Sequence, residues 1–163
     1  MNDTAIIDVL RTTAFFEGID DEHLQRLAAI TRVVEIPAGQ ELFHERDAAK
    51  EVYFLLSGSV AVVVCLPKIG CRELVDVGAG EMLALSPLVG RTRLLDSART
   101  KKPTRALAID GEQALGFCRE YPEFGFEFMH RVAKGLANRL GATRLQFMEL
   151  AGFHLPEAQL ESD

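Results

Sequence analysis

The chain reads as a mainly β fold with flanking helices, an antiparallel β-roll of double-stranded β-helix or jelly-roll type, preceded by short helices and followed by a long one. Three observations predict it. Short β-rich runs separated by turn residues recur between about residues 31 and 109. Helical periodicity holds on both sides of that stretch. At 163 residues, 48% hydrophobic and 26% charged, the chain suits one globular domain with a real core. We expect that domain over residues 1–150, with the roll at about 31–109, helices at about 111–150, and a polar tail at 151–163.

Ile6, Ile7 and Leu10 recur at helical spacing. A second helix is signalled by Asp20 as N-cap, with Ile19 and Leu24 placed for a hydrophobic staple, and it carries Leu24, Leu27, Ala28 and Ile30. The second helix is expected to cover a sheet. Pro37, Ala38 and Gly39 then form a turn between Val33 to Ile36 and Glu41 to His44. Two β-rich runs, Val52 to Leu56 and Val60 to Leu66, are separated by Ser57-Gly58-Ser59, and Arg72 to Val77 alternates polar with apolar residues. Leu83 to Leu85 and Ala106 to Ile109 supply two further strand-like pieces.

After Asp110 the period changes. Asp110 with Gln113 is a capping-box-like start for a helix over Glu112 to Tyr121, which stops before Pro122, and Pro122 suits the first turn of the next helix. In that helix Met129, Ala133, Leu136, Leu140, Thr143, Phe147 and Leu150 step by four and three alternately, a heptad seam. Such a seam predicts a homodimer through Met129 to Leu150, and the competing expectation is packing on the chain's own roll. Gly135 and Gly141 weaken the helix, and Gly141 would admit a close second helix.

No basic segment precedes an early apolar run and no run reaches the length of a membrane span, so a cytoplasmic protein is expected. Cys65, Cys71 and Cys118 lack zinc-site spacing and read as reduced, mostly buried thiols; a cross-strand Cys65–Cys71 pair over the LPKIG turn is the other reading. A net charge of −6 argues against non-specific nucleic-acid binding. His23, His44, His130 and His154 fall on different elements with no ligating spacing, so catalysis at a metal is not expected. Three scattered cysteines do not make an iron–sulfur set, and nothing singles out a haem ligand.

The stretch from Val77 to Asp110 carries the candidate chemistry. Gly78 and Gly80 free the backbone, and Glu81 adds an acceptor-only carboxylate suited to a hydroxyl-bearing guest. Arg91, Arg93, Arg99, Lys101, Lys102 and Arg105 oppose only Asp96, so this run is basic inside an acidic chain. Arginine forks match phosphate oxygens, which points to a small anionic ligand; a solvated surface loop is the alternative.

Several segments together resemble the cyclic nucleotide-binding domain family: PAGQELFHERDAAKEVYFLLSGSVAVVV, then VGAGEM, SPL and SAR, and finally VAKGLANRLGATRLQF. The resemblance covers roughly Ala14 to Leu150. It implies a regulatory module that binds cyclic AMP or cyclic GMP, uses no other cofactor and signals through a dimer helix. By the same resemblance Glu81 accepts the ribose hydroxyl, with Gly80 and Met82 lining the pocket, Ser97 and Ala98 meet the cyclic phosphate, and Thr143 contacts the base. The family arginine that directly precedes the small pair is replaced by Asp96, so Arg91, Arg93 or Arg99 are expected to rebuild the phosphate site. The residues after the long helix are too few and too acidic for a winged helix, so no DNA binding by this chain alone is expected. The competing expectation is a degenerate, ligand-free interaction module whose pocket is filled by Leu88, Leu94 or Leu95.

Overall fold

The computed structural model describes residues 3–156. Residues 157–163 of the expected tail lie outside the described residues. Helix α1 (Asp3–Thr12) and a single 3-10 turn (Ala14–Phe16) lead into α2 (Asp21–Ala29). Asp20 caps α2 by accepting from the His23 N–H at 2.9 Å, and Ile19 packs on the same apolar cluster that buries Leu24.

Six strands form one antiparallel sheet: β1 (Thr31–Ile36), β2 (Glu41–Phe43), β3 (Glu51–Leu66), β4 (Gly70–Gly78), β5 (Met82–Leu83) and β6 (Ser97–Asp110). The path runs β1-β6-β3-β4, with β2 paired to β6 and β5 to β3. Roll and helices build two cores. Leu55, Val60, Val62, Val77, Leu83, Ala98 and Ala106 fill the roll. Phe16, Leu27, Phe54, Leu107, Phe117 and Phe128 join the helices to its outer face.

Helix α3 (Gly111–Glu120) starts at Asp110, which accepts from the Gln113 N–H at 2.9 Å. Pro122 opens α4, which runs unbroken for 30 residues (Pro122–Ala151) through Gly135 and Gly141. No Cβ built at either glycine would meet a neighbouring atom within this chain.

Four expectations change. The runs Val52 to Leu56 and Val60 to Leu66 are one strand. Gly58 takes φ +94°, the register with β6 shifts around it, and the chain continues through the bulge instead of turning back. The short strand expected at Leu83 to Leu85 is Met82–Leu83, and the chain then enters a 3-10 turn (Ser86–Val89). The basic run is a loop only as far as Asp96; from Ser97 on it is β6, where Arg99 stands opposite Glu41 and Arg105 opposite Glu35. Cys65 and Cys71 are exposed, not buried, and are joined by a disulfide across the β3–β4 hairpin; Cys118 is buried and free.

Helix α4 divides in function along its length. Phe124, Gly125, Phe128 and Val132 are buried against the body, and Met129 packs partly on the same core. Beyond Lys134 the seam turns outward: Leu136, Leu140, Phe147 and Leu150 are exposed, Leu140 by 61% and Leu150 by 79%.

Candidate functional site

The turn between β4 and β5 is held by the central strand. Gly80 N–H donates to the Leu55 carbonyl at 2.8 Å, and Leu55 N–H donates to the Glu81 carbonyl at 2.9 Å. Gly80 takes φ +85°, a left-handed conformation that only glycine adopts without strain. Clamped in this way, the turn aims Glu81 back over itself. Its Oε2 accepts from Gly78 N–H at 2.8 Å, while Oε1 lies 3.6 Å from Arg139 of α4. Glu81 is therefore both a cap on the turn and the acceptor of a cation.

Sequence reasoning missed Arg139. Its guanidinium is 19% exposed and donates to the Met82 carbonyl as well as facing Glu81. Its Nε is buried with no hydrogen-bond partner among the described residues. The signal available in the sequence was its place one helical turn before Thr143 on α4. Thr143 itself is half-buried, between Arg139 and Gln146, and Gln146 lines a small hollow with Asp76 and Lys101. A larger cleft of about 950 Å³ is lined by Phe15, Phe54, Gly80, Glu81, Met82 and Arg139, among others.

The phosphate end of the expected site has a different composition. Ser97 Oγ accepts from the Glu45 N–H at 2.9 Å, which leaves its own hydrogen free to donate. Asp96 is half-buried beside it. Burial pushes the Asp96 carboxyl above the usual carboxylate range, the Glu45 charge pushes it further, and Arg139 pulls it back. Ala98 is buried in the roll, paired with Phe43 and Val62.

The three arginines expected to rebuild a phosphate site do not line the cleft. Arg91, Arg93 and Arg99 are all exposed. Arg93 donates to the Arg46 carbonyl and Arg99 to the Gly39 carbonyl. Further along β6, Lys101 lies 2.9 Å from Asp76 and 3.4 Å from Glu73. Lys101 and Arg105 are thus spent on acidic residues of neighbouring strands, a pairing that becomes visible once the second half of the run is seen to be strand. Nor do leucines plug the pocket as a set: Leu88 belongs to the helical core, Leu94 is buried, and Leu95 is 54% exposed.

No cluster of three or more metal-ligating side chains occurs among the described residues, and none of their helices is long and apolar enough to cross a membrane.

Comparison with known proteins converges on one description. The family model for the cyclic nucleotide-binding domain matches residues 33–121, more than half of the chain. A CRP-like cAMP-activated global transcriptional regulator of Mycobacterium tuberculosis is 21% identical over 129 residues, covering 79% of this chain and 58% of that protein. The chain thus spans little more than half the length of that relative. Among solved structures, a cyclic nucleotide-binding protein from Geobacter metallireducens superposes with a TM-score of 0.71 at 27% identity, covering 82% of this chain and 96% of that one. A cyclic nucleotide-binding domain from Methylobacillus flagellatus gives 0.73 at 18% identity, covering 96% and 86%, a likeness of fold.

Proposed function

Because this chain belongs to the cyclic nucleotide-binding domain family, we propose that it is a regulatory ligand-sensing module, non-catalytic and cytoplasmic, that takes a small anionic ligand of the cyclic nucleotide class and signals through a homodimeric α4. In the cytoplasm the exposed Cys65–Cys71 bond would be held largely reduced.

The observation that carries this reading is the position of Glu81. It sits on a turn pinned to β3 and at the same time faces Arg139 of α4. A ligand hydroxyl that engages Glu81 must compete with or rearrange the Arg139 contact, so occupancy of the cleft bears directly on the helix. Gly80, Glu81 and Met82 form the sugar end of the site, Ser97 and Ala98 the phosphate end, and Thr143 the base end. Arg139 takes the place of Arg91, Arg93 and Arg99 as the cation that faces Glu81, in a cleft that Arg131 and Lys134 of α4 also line. Two states follow, with Arg139 on the turn between β4 and β5 or on the ligand, and the exposed seam from Leu136 on is the surface whose pairing responds.

One observation favours the second reading, an interaction module without a ligand: Asp96 and Glu45, the neighbour and the backbone partner of Ser97, bring two carboxylates to the end that the first reading gives to a phosphate. Calorimetric titration with cyclic AMP and cyclic GMP, repeated on Glu81→Ala, separates the two. Micromolar binding that disappears in the variant supports the sensor. Heat with neither nucleotide, from a protein whose circular dichroism shows it folded, overturns the cyclic nucleotide reading and leaves the interaction module.

A further inference from the structure

We propose that Cys65 and Cys71 form a reversible redox site: the pair exchanges between dithiol and disulfide with low-molecular-weight disulfides of the glutathione class, and its closure orders the end of the β3–β4 hairpin. This goes beyond the ligand reading and does not depend on it.

The hairpin itself brings the two cysteines together. β3 ends at Leu66 and β4 begins at Gly70, and these two residues pair. Between them the turn closes with Ile69 N–H donating to the Leu66 carbonyl at 3.3 Å, while Lys68 takes φ +70° and Gly70 φ +80°. A turn this short fixes the register of the strands on either side of it. Cys65 and Cys71 are the next pair along, so they stand opposite each other in the dithiol as well as in the disulfide, with Cα atoms 3.9 Å apart in the bonded form. Both are exposed, and a small thiol or disulfide has access to them. Cys118, by contrast, is buried in the helical core. Exposed disulfides are the labile ones, and in a reducing compartment such a site rests as the dithiol.

What the bond controls follows from the sheet. β4 lies at the end of the strand path and pairs with β3 alone. The pairing of β3 with β6 stops at Val63 and Ser97. Residues 64–66 and 70–72 therefore form a two-stranded ribbon with no third strand among the described residues, and a bulge at Leu74 sets it off from the rest of β4. Every residue of the ribbon except Val64 is exposed, Leu66 by 52%, and Ile69 on the turn is exposed by 56%. A two-stranded ribbon without a buried face is marginal in water. The covalent link thus decides its order: reduced, the ribbon frays back toward the bulge, and oxidised, it is fixed.

The exchange balances with the external disulfide as its one co-reactant. A thiolate of the pair attacks one sulfur of that disulfide, forming a mixed disulfide and expelling one external thiolate. The second cysteine then attacks the sulfur of the first, closing Cys65–Cys71 and expelling the other external thiolate. Two electrons pass from the pair to the external disulfide, and the two expelled thiolates take up the two protons that the cysteines lose. Excess external thiol reverses both steps.

The purified chain, equilibrated in buffers of stepped reduced-to-oxidised glutathione ratio and alkylated at its exposed thiols before mass spectrometry, tests the chemistry. We expect Cys65 and Cys71 to pass together and reversibly from two alkylated thiols to none, with Cys118 unmarked while the protein is folded. Cys65→Ser lacks the second thiol and is expected to hold glutathione on Cys71 as a mixed disulfide in the oxidising buffers where the wild type closes. Hydrogen exchange at residues 64–72 is expected to slow by about tenfold on oxidation of the wild type. The same segment should ignore the buffer in the double variant Cys65→Val, Cys71→Val, which keeps strand-forming residues but cannot bond. A pair that stays bonded in a large excess of reduced glutathione, or that ends with one glutathione on each cysteine, overturns the redox site. Equal exchange at residues 64–72 in the two wild-type states overturns the ordering of the ribbon. The cyclic nucleotide reading stands or falls separately, by its own titration.

Discussion

The Arg139 guanidinium lies 3.6 Å from the Glu81 carboxylate, linking the second half of α4 to the turn between β4 and β5. It also donates to the Met82 carbonyl. In the single chain this contact holds a helix whose residues after Lys134 are mostly exposed.

Arg139→Ala removes a charged donor from a backbone carbonyl and a counter-ion from Glu81. Because Glu81 is itself partly exposed, we expect a loss of roughly 1–2 kcal/mol in stability. Hydrogen exchange is expected to accelerate at residues 136–151 while the strands keep their protection. Equal loosening throughout would show that Arg139 is not the tether.

The unliganded protein offers a second test at Asp96. Burial, then Glu45, raise its pKa on folding against a smaller opposing pull from Arg139. A raised folded pKa means that the stability linked to this group is fully present below the unfolded value and is lost as pH rises through the folded one. Asp96→Asn should therefore melt above the wild type at neutral pH, with the gap narrowing as pH falls into the range where Asp96 is protonated. Thermal melts over that pH series check it, and a constant gap contradicts it.

Gly58 has φ +94°, and a Cβ there would stand 2.5 Å from the Pro103 carbonyl oxygen and 2.5 Å from Thr104 Oγ1. Gly58→Ala combines backbone strain with a clash against β6, a loss of about 2–4 kcal/mol. Urea denaturation should show it as a lower midpoint with an unchanged slope.

Leu140 is exposed in mid-helix, and Leu136 and Phe147 share its stripe. Leu140→Glu puts a charge into the expected dimer seam without touching the core, and association is expected to weaken by tenfold or more, a change of about 1.4 kcal/mol or above. Sedimentation equilibrium of wild type and variant measures it. A wild type that is monomeric at every concentration removes the dimer from the reading.

Much of the architecture was legible because it depends on local chemistry. Asp20 and Asp110 cap their helices because a carboxylate two or three residues from free N–H groups needs no distant partner. The outward seam of α4 follows from helical periodicity in the same way. Ser57-Gly58-Ser59 misled because turn residues mark a change of backbone direction without saying whether the chain reverses or bulges. Only pairing with β6 on one side and β4 on the other decides that. The basic run misled for a related reason: cross-strand partners such as Glu35 and Glu41 are distant in sequence and adjacent in register.

What the sequence determined by itself is the class of fold, the two capped helices, the long seam helix and the Gly80-Glu81 turn, each set by residue type and spacing within one or two turns of chain. Tertiary structure alone decided which cation faces Glu81, and that the Glu45 charge acts on Asp96. Residues 45, 81, 96 and 139 lie on four separate segments, and a charge acts over ångströms of space, whatever the number of residues between.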